Sequence, residues 1–245
     1  MKLALLGYGK MGQEIHKVAD KRGHEIVLII DNDEEWIEKG SLLKEADAAI
    51  EFTTPDSAVE NINHCFEAGV PVVVGTTGWI EDIENIRRKC LEDGKSMFFS
   101  PNFSIGVNLF FELNRYLAVI MAKWENYEIS IEETHHIHKL DAPSGTAIVL
   151  ANDIIRNIER KEKWVKELQE NPDEVGIKSY RSADVPGTHK VRYESDMDDI
   201  EIIHMAKTRK GFALGAVMAA EFVRGKTGFF EMKDLLNTQK NQASQ

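Results

Sequence analysis

The sequence predicts an α/β protein: a doubly wound parallel sheet, followed by a second α+β domain with a mixed sheet. In the first hundred residues, short apolar runs alternate strictly with amphipathic stretches. These runs are apolar on both faces, which is typical of parallel strands covered by helices on each side. After residue 125 the strand-like runs become half polar, which predicts a mixed sheet with one face exposed.

In the first half, strands are predicted where apolar runs end at turn residues. They are Lys2–Leu6, Glu25–Ile30, Ala48–Phe52, Pro71–Val74 and Ser96–Phe99. Helices are predicted between them, because glycines and capping residues bound the amphipathic stretches. They run from Gly12 to about Arg22, from the capping cluster at 53–57 to near Gly69, and over Trp79–Glu92.

The second half begins with a long, mostly apolar helix over Ser104–Trp124 and an alternating strand over Glu125–His136. A helix from Gly145 to about Lys163 and an irregular acidic stretch to Gly176 are expected next. The remaining predicted elements are strands at Ile177–Ser182, Thr188–Glu194 and Asp199–Ala206, and a helix at Phe212–Val223. The polar tail from Asn237 is expected to fray.

Composition narrows the class of protein. The 245 residues carry a net charge of −11, which argues against nucleic acid or an anionic membrane surface as a partner. No segment is long and uncharged enough to span a bilayer. The only two cysteines, Cys65 and Cys90, fall in helical segments, so we expect no disulfide framework and a cytoplasmic location.

A glycine-rich turn follows the first strand and opens the first helix. Its residues are Gly7, Tyr8, Gly9, Lys10, Met11 and Gly12. This strand–turn–helix setting predicts a Rossmann-type dinucleotide site, with the pyrophosphate at the helix N-terminus. Asp31 ends the second strand, where a carboxylate binds a ribose 2′-hydroxyl. The alternative is a purely structural glycine turn.

The same carboxylate favours NADH over NADPH, because it repels a 2′-phosphate and no arginine follows it. Lys10 is the counter-argument, since it lies in the loop and has the reach for that phosphate. Two further turns are expected at the same edge of the sheet, where parallel strands end. They contribute cofactor-binding candidates Gly75, Thr76, Thr77, Ser100, Pro101, Asn102 and Phe103.

The segment 133–147 concentrates the residues suited to catalysis. Three histidines and Lys139 lie within five residues, and a helix cap follows at Ser144, Gly145 and Thr146. A metal site is not expected, because His135 and His136 point to opposite faces of a strand. The positive side chains and the free N–H groups of the helix start instead predict an anion site beside a proton donor.

The run His135-His136-Ile137-His138-Lys139-Leu140-Asp141-Ala142-Pro143-Ser144-Gly145-Thr146-Ala147 closely resembles the signature of the dihydrodipicolinate reductase family. The glycine loop, Gly75–Gly78 and the segment 102–108 match the family in order. The resemblance implies NAD(P)H-dependent reduction of 4-hydroxy-tetrahydrodipicolinate to tetrahydrodipicolinate, in diaminopimelate and lysine biosynthesis. It also implies a homotetramer joined through the sheets of the second domain.

By this resemblance, His135 falls on the proton donor and Lys139 on a second catalytic position. His136, Gly145 and Thr146 fall on substrate-binding positions, to which the cap residue Ser144 is added. Residues 1–104, completed by 215–245, are expected to bind the dinucleotide, and 105–214 to bind substrate and form the oligomer. Two alternatives stay open, namely another two-domain dehydrogenase acting on a small anion and a catalytically silent cofactor-binding protein.

Overall fold

The computed structural model describes residues 1–183, 185–208 and 210–236; the tail from Asn237 lies outside the described residues. The chain forms two compact units, Met1–Ile105 with the chain from Lys210 onward, and Gly106–Arg209. The predicted fold class is confirmed, since one unit holds a fully parallel sheet and the other a mixed sheet. No helix within the described ranges has the length and apolar character needed to cross a bilayer.

The first unit contains six strands in the order β11-β5-β4-β3-β1-β2, all parallel. The strands are β1 (Lys2–Leu6), β2 (Glu25–Ile30), β3 (Ala48–Glu51), β4 (Val72–Val74), β5 (Ser96–Phe99) and β11 (Gly228–Phe230). The helices are α1 (Lys10–Lys21), α2 (Asp33–Lys39), α3 (Pro55–Ala68), α4 (Ile83–Glu92), α7 (Lys210–Val223) and α8 (Met232–Leu235).

Both faces of this sheet are buried, and that explains its uninterrupted apolar strands. Leu3 and Leu5 of β1 pack into a core on the side of α1 and α7. Ala4 and Leu6, which point the other way, pack into a core with α3 and α4. Alternate residues of each strand therefore serve opposite cores. The carboxyl ends of β1, β3, β4 and β5 meet at one edge of the sheet.

The second unit holds a sheet in the order β10-β9-β6-β8-β7. Its elements are α5 (Ile105–Met121), β6 (Glu128–His135), α6 (Gly145–Asn157), β7 (Lys163–Lys166), β8 (Glu174–Arg181), β9 (Thr188–Glu194) and β10 (Asp199–Met205). The central strand β6 pairs parallel to β8 and antiparallel to β9. One face of the sheet packs into a core with α5 and α6.

The region between α6 and β8 differs from the sequence-based expectation. The helix predicted to reach Lys163 ends at Asn157, and the stretch expected to be irregular contains β7 and the start of β8. The side chain of Lys161 explains the turn, because its buried Nζ donates to the carbonyl oxygens of Pro172 and Glu174 at 2.6 and 2.9 Å. A lysine that anchors a turn carries no local sequence signal. The short strand β11 and helix α2 also lay outside the prediction.

Candidate active site

The glycine loop between β1 and α1 has the backbone geometry that a pyrophosphate site needs. Gly7 has a φ of +92°, and a Cβ atom there would lie 2.1 Å from the carbonyl oxygen of Phe52. A Cβ atom at Gly12 would lie 2.2 Å from the carbonyl oxygen of Gly7. Gly9 faces open space and begins α1 without a side-chain cap. The first N–H groups of α1 therefore suit an anion that approaches over Gly9.

Tyr8, Lys10 and Met11 complete this loop and the first turn of α1. The backbone N–H of Tyr8 donates a hydrogen bond of 2.6 Å to Oδ1 of Asp31, which ties the loop to the end of β2. Lys10 is exposed and Met11 is half-buried. Asp31, Gly7 and Gly9 line a cavity of about 300 Å³. The structure thus brings the predicted ribose-binding carboxylate to the predicted pyrophosphate loop.

The residues after Asp31 make this end of the cavity acidic. Asn32 caps α2 by accepting a hydrogen bond from the N–H of Glu35 at 3.0 Å. Asp33, Glu34 and Glu35 form the first turn of that helix. These carboxylates would repel a phosphate group on the 2′ position of a ribose, whereas they would not repel an uncharged 2′-hydroxyl.

The buried carboxyl group of Glu51, at the end of β3, is hydrogen-bonded to the turn after β4. The hydroxyl of Thr76 donates to Oε1 of Glu51 at 3.0 Å, and the N–H of Thr53 donates to Oγ1 of Thr76 at 2.8 Å. Burial raises the pKa of Glu51, against the opposing effect of its hydrogen bonds from Thr53 and Thr76. The hydroxyl of Thr76 is therefore buried and hydrogen-bonded within the protein, whereas Thr77 is exposed.

The turn after β5 is also organised by its own side chains. Ser100 is buried, and its hydroxyl donates to the carbonyl oxygen of Asn102 at 2.8 Å. Phe103 is buried against the rings of Phe52 and Phe98. Pro101 is exposed at the tip of the turn. Ser100 and Phe103 thus shape the turn, and Pro101 and Asn102 are the members left closer to its surface.

In the second unit, the alternation of β6 turns Glu133 and His135 toward the same buried face as Ile129 and Ile131. Nδ1 of His135 lies 3.2 Å from Oε2 of Glu133. Nε2 of His189 on β9 lies 3.8 Å from the same oxygen. The rings of the two histidines meet edge to face with their centroids 5.0 Å apart. Two imidazoles therefore share one buried carboxylate.

The start of α6 is attached to this cluster. Ser144 caps the helix, with its hydroxyl accepting from the N–H of Ala147 at 3.3 Å and lying 3.1 Å from Nε2 of His189. The N–H of Ser144 donates to Oε1 of Glu133 at 3.1 Å. Gly145 faces open space, and Thr146 is half-buried. Ser144 is buried at 2% exposure, so Gly145 and Thr146 present the N–H groups of the helix start.

Lys139 lies in the loop between β6 and α6. Its Nζ is 2.8 Å from Oδ1 of Asp141, and this contact lowers the pKa of the Asp141 carboxyl group. Arg181 at the end of β8 fixes the loop by donating from Nε to the carbonyl oxygen of Lys139 at 3.2 Å. His136 is half-buried and its ring lies 6.3 Å from that of the exposed His138.

Family models match two long segments that together make up most of the chain. The family model "Dihydrodipicolinate reductase, N-terminus" matches residues 1–103, and its counterpart "Dihydrodipicolinate reductase, C-terminus" matches residues 106–236. The chain belongs to the dihydrodipicolinate reductase family. A 4-hydroxy-tetrahydrodipicolinate reductase of Christiangramia forsetii is 48% identical over 97% of this chain and 98% of the relative. The Methanopyrus kandleri relative of that name is 38% identical over 87% and 82%.

Membership of the dihydrodipicolinate reductase family gives the reaction. The chain is an oxidoreductase that reduces 4-hydroxy-tetrahydrodipicolinate to tetrahydrodipicolinate with NADH or NADPH, in the biosynthesis of diaminopimelate and lysine. The resemblance found in the sequence is confirmed.

Solved structures show the same fold. A dipicolinate-bound dihydrodipicolinate reductase from Paenisporosarcina sp. TG-14 superposes with a TM-score of 0.74 at 22% identity, over 94% of this chain and 97% of the other. An engineered D-amino acid dehydrogenase bound to NADP+ reaches 0.53 at 14% identity, over 94% and 92%. At these identities the likeness concerns the fold alone.

Sequence reasoning missed four polar residues of the two units. Glu51 and Glu133 are buried carboxyl groups, and His189 and Arg181 contact Glu133 from neighbouring strands. A signal for Glu133 was present, since the inward alternation that begins at Ile129 continues through it to His135. The other contacts depend on strand pairing.

Proposed function

We propose that the first unit binds the reduced cofactor and the second unit binds and protonates the substrate. The observation that carries this proposal is the link between His135 and the start of α6 through Glu133, which accepts the N–H of Ser144. A buried imidazole is thereby linked to a helix N-terminus, and Lys139 lies in the loop between their two elements. The combination suits the protonation of a substrate that carries two carboxylates.

For the cofactor, the glycine loop and Asp31 are proposed to hold the pyrophosphate and the adenosine ribose. The exposed Thr77 and the half-buried Asn102 are the polar candidates for the nicotinamide end, with Thr76 and Ser100 shaping their turns. The open space over Gly9 and the close packing at Gly7 fit such a ligand. When bound, the reduced nicotinamide supplies a hydride to C4 of the substrate.

The residues of the second unit are proposed to act on the substrate as follows. The N–H groups at Gly145 and Thr146, with Lys139 and His136, bind the carboxylates. The substrate loses its hydroxyl as water, which leaves a conjugated imine. As C4 is reduced, negative charge develops on the adjacent carbon, and His135 delivers a proton there. Much of the rate enhancement then comes from positioning and electrostatics.

Glu133, His135 and His189 are also the group of described residues whose ligand atoms would suit a metal ion, within 4.8 Å of one another. The sequence predicted no metal site because His135 and His136 point to opposite faces of a strand, a reason that does not apply to His189. Arg181 offers a further argument, because its Nη1 lies 3.5 Å from Oε1 of Glu133. A guanidinium charge already balances this carboxylate and disfavours a divalent cation beside it. We therefore assign the cluster to proton transfer.

The test measures NADH oxidation coupled to a synthase that makes the substrate from pyruvate and aspartate semialdehyde. His135→Gln is expected to lower kcat by roughly 10²–10⁴, the usual worth of a general acid, with cofactor binding preserved. His138→Gln, an exposed histidine of the same loop, serves as the control. Near-normal turnover of His135→Gln would remove His135 from the mechanism, and His136 would then be tested.

A homotetramer in the cytoplasm is the proposed working state. The sheet face of the second unit that points away from α6 carries Ile203 and Met205, which are 52% and 64% exposed, and Tyr180. Ion pairs of Lys190 with Glu132 and Glu201 lie on the same face. A mixed face of this kind is typical of surfaces that a second subunit covers.

A further inference from the structure

Glu133 occupies the centre of the buried cluster, although glutamate is seldom fully buried unless it is paired. Its side chain is 1% exposed. Oε1 accepts the N–H of Ser144 and lies 3.5 Å from Nη1 of Arg181. Oε2 lies between Nδ1 of His135 and Nε2 of His189, at 3.2 and 3.8 Å. One carboxylate thus contacts the proposed acid, the cap of the substrate-binding helix and two further side chains.

Glu133 and His189 differ in charge at neutral pH. Burial opposes ionisation of Glu133, but its polar contacts with His135, Ser144 and Ser179 outweigh this effect and lower the pKa to about 2. Burial and the neighbouring His135 lower the pKa of His189 to about 4. At neutral pH Glu133 is therefore a carboxylate, and His189 is an uncharged ring.

Charged and titratable groups face Glu133 from each surrounding element. Arg181 approaches from β8, His189 from β9, and His204 from β10, where burial lowers its pKa. Lys139 approaches from the loop before α6, where Asp141 pairs with it. Of these imidazoles, that of His135 has the ring nitrogen nearest the carboxylate, at 3.2 Å against 3.8 Å for His189.

A glycine without a side chain packs against the opposite side of the His135 ring. A Cβ atom added at Gly187 would lie 3.1 Å from Nε2 of His135, tighter than an ordinary contact. Nδ1 therefore faces Glu133, while Nε2 faces a position without a side chain. This arrangement gives the ring one nitrogen for anchoring and one for proton donation.

We propose that Glu133 is a positioning residue that holds Nδ1 of His135, favours the protonated ring, and directs its Nε2 proton toward the substrate. Because the side chains of both residues are buried, solvent screens the attraction between the carboxylate and an imidazolium only weakly. The same carboxylate fixes the start of α6 through Ser144, so that the acid and the anion site keep one geometry. The proposal rests on the proposed role of His135.

The experiment compares Glu133→Gln with Glu132→Gln. Glu132 is the neighbouring residue of β6 on the other face and pairs with Lys190 at 2.8 Å. Glu133→Gln is expected to lower kcat by roughly 10- to 100-fold, as loss of a carboxylate behind a functional histidine does. The alkaline limb of the kcat/KM profile should also move to lower pH, because His135 holds its proton less firmly. The KM for NADH should not change.

Glu133→Asp should recover part of kcat and return the alkaline limb toward the wild-type pH, since it restores the charge. A merely structural role would not move this limb. A wild-type pH profile and kcat in Glu133→Gln would overturn the proposal. If His135→Gln is inactive while Glu133→Gln behaves like Glu132→Gln, only the role of Glu133 fails. If His135→Gln is active, the proposed function of His135 fails first.

A second measurement observes the wild-type protein and so does not depend on the folding of Glu133→Gln. In ¹⁵N-histidine NMR at alkaline pH, with the signals assigned through His135→Gln, neutral His135 should carry its proton on Nδ1, the nitrogen next to Glu133. A neutral ring with its proton on Nε2 would overturn the proposal.

Discussion

The N–H of Tyr8 donates a 2.6 Å hydrogen bond to the carboxylate of Asp31, which joins the glycine loop to the end of β2. The bond holds a negative charge at the cavity where an adenosine ribose is proposed to bind. Because Asp33, Glu34 and Glu35 follow in the first turn of α2, the position repels an additional phosphate. The geometry therefore supports a preference for NADH.

We expect wild-type kcat/KM to be at least as high with NADH as with NADPH. Asp31→Ser should raise the relative use of NADPH by about tenfold, which corresponds to ~1.4 kcal/mol. The measurement is the ratio of kcat/KM for the two cofactors, with the exposed Asp82→Ser as a control for net charge. A strong wild-type preference for NADPH, or a ratio that is the same in Asp31→Ser, would show that Asp31 does not distinguish a ribose 2′-hydroxyl from a 2′-phosphate.

Lys139→Ala is expected to lower kcat/KM for the dicarboxylate by about 10²–10³, similar to the loss of one donor that faces a developing charge. Both KM and kcat should suffer, because the lysine is proposed to attract and hold an anion within a chain of net charge −11. Lys139→Arg should rescue poorly, since a planar guanidinium does not reproduce a compact ammonium. Lys123→Ala is the exposed control, and unchanged kinetics in Lys139→Ala would assign Lys139 to the solvated surface.

Glu51→Gln should be more stable than the wild-type protein at alkaline pH, and this advantage should be smaller at acidic pH. Because burial raises the pKa of Glu51 in the folded state, its stabilising contribution is complete at low pH and is lost as pH rises through that pKa. We expect the Tm of Glu51→Gln to exceed that of wild type by about 2–4 °C near pH 8, or roughly 1 kcal/mol.

The difference in Tm should shrink on going to about pH 4, where the wild-type carboxyl group is protonated. Scanning calorimetry of both proteins across this range isolates the contribution of Glu51, because their other carboxyl groups are the same. A Tm difference that does not vary with pH would contradict the prediction.

Light scattering should give about four times the 27.8 kDa chain mass at micromolar concentration. Ile203→Glu should reduce that mass, because it places a charge on the sheet face proposed to be covered by another subunit. Ile37→Glu provides the control, as Ile37 is 90% exposed in the first unit. A single chain mass for the wild-type protein would refute the tetramer.

The sequence by itself determined the features that depend on neighbours in the chain. Apolar runs such as Lys2–Leu6 predicted the buried parallel strands, because both faces of these strands meet helices. The glycine loop and Asp31 predicted a nucleotide site, because strand, turn and helix follow one another without interruption. The run from His135 to Ala147 supplied the family, and with it the reaction.

Tertiary structure decided which side chains work together. In the antiparallel register of β6 and β9, Glu133 lies directly opposite His189, and the parallel register of β6 and β8 sets His135 opposite Arg181. Glu51 meets Thr76 in the same way, because β3 and β4 end side by side. The residues of each pair lie far apart in the sequence, and their types alone name no partner.

The strand β7 shows the same limit for secondary structure. Lys163–Lys166 has no marked alternation or apolar run, and it becomes a strand because β8 offers it backbone partners. Local sequence pattern therefore determined the helices and strands with a clear apolar face, and the motifs whose residues are contiguous in the chain. Strand register determined which groups contact the buried carboxylates of Glu51 and Glu133, because those groups come close only when segments distant in the sequence pair.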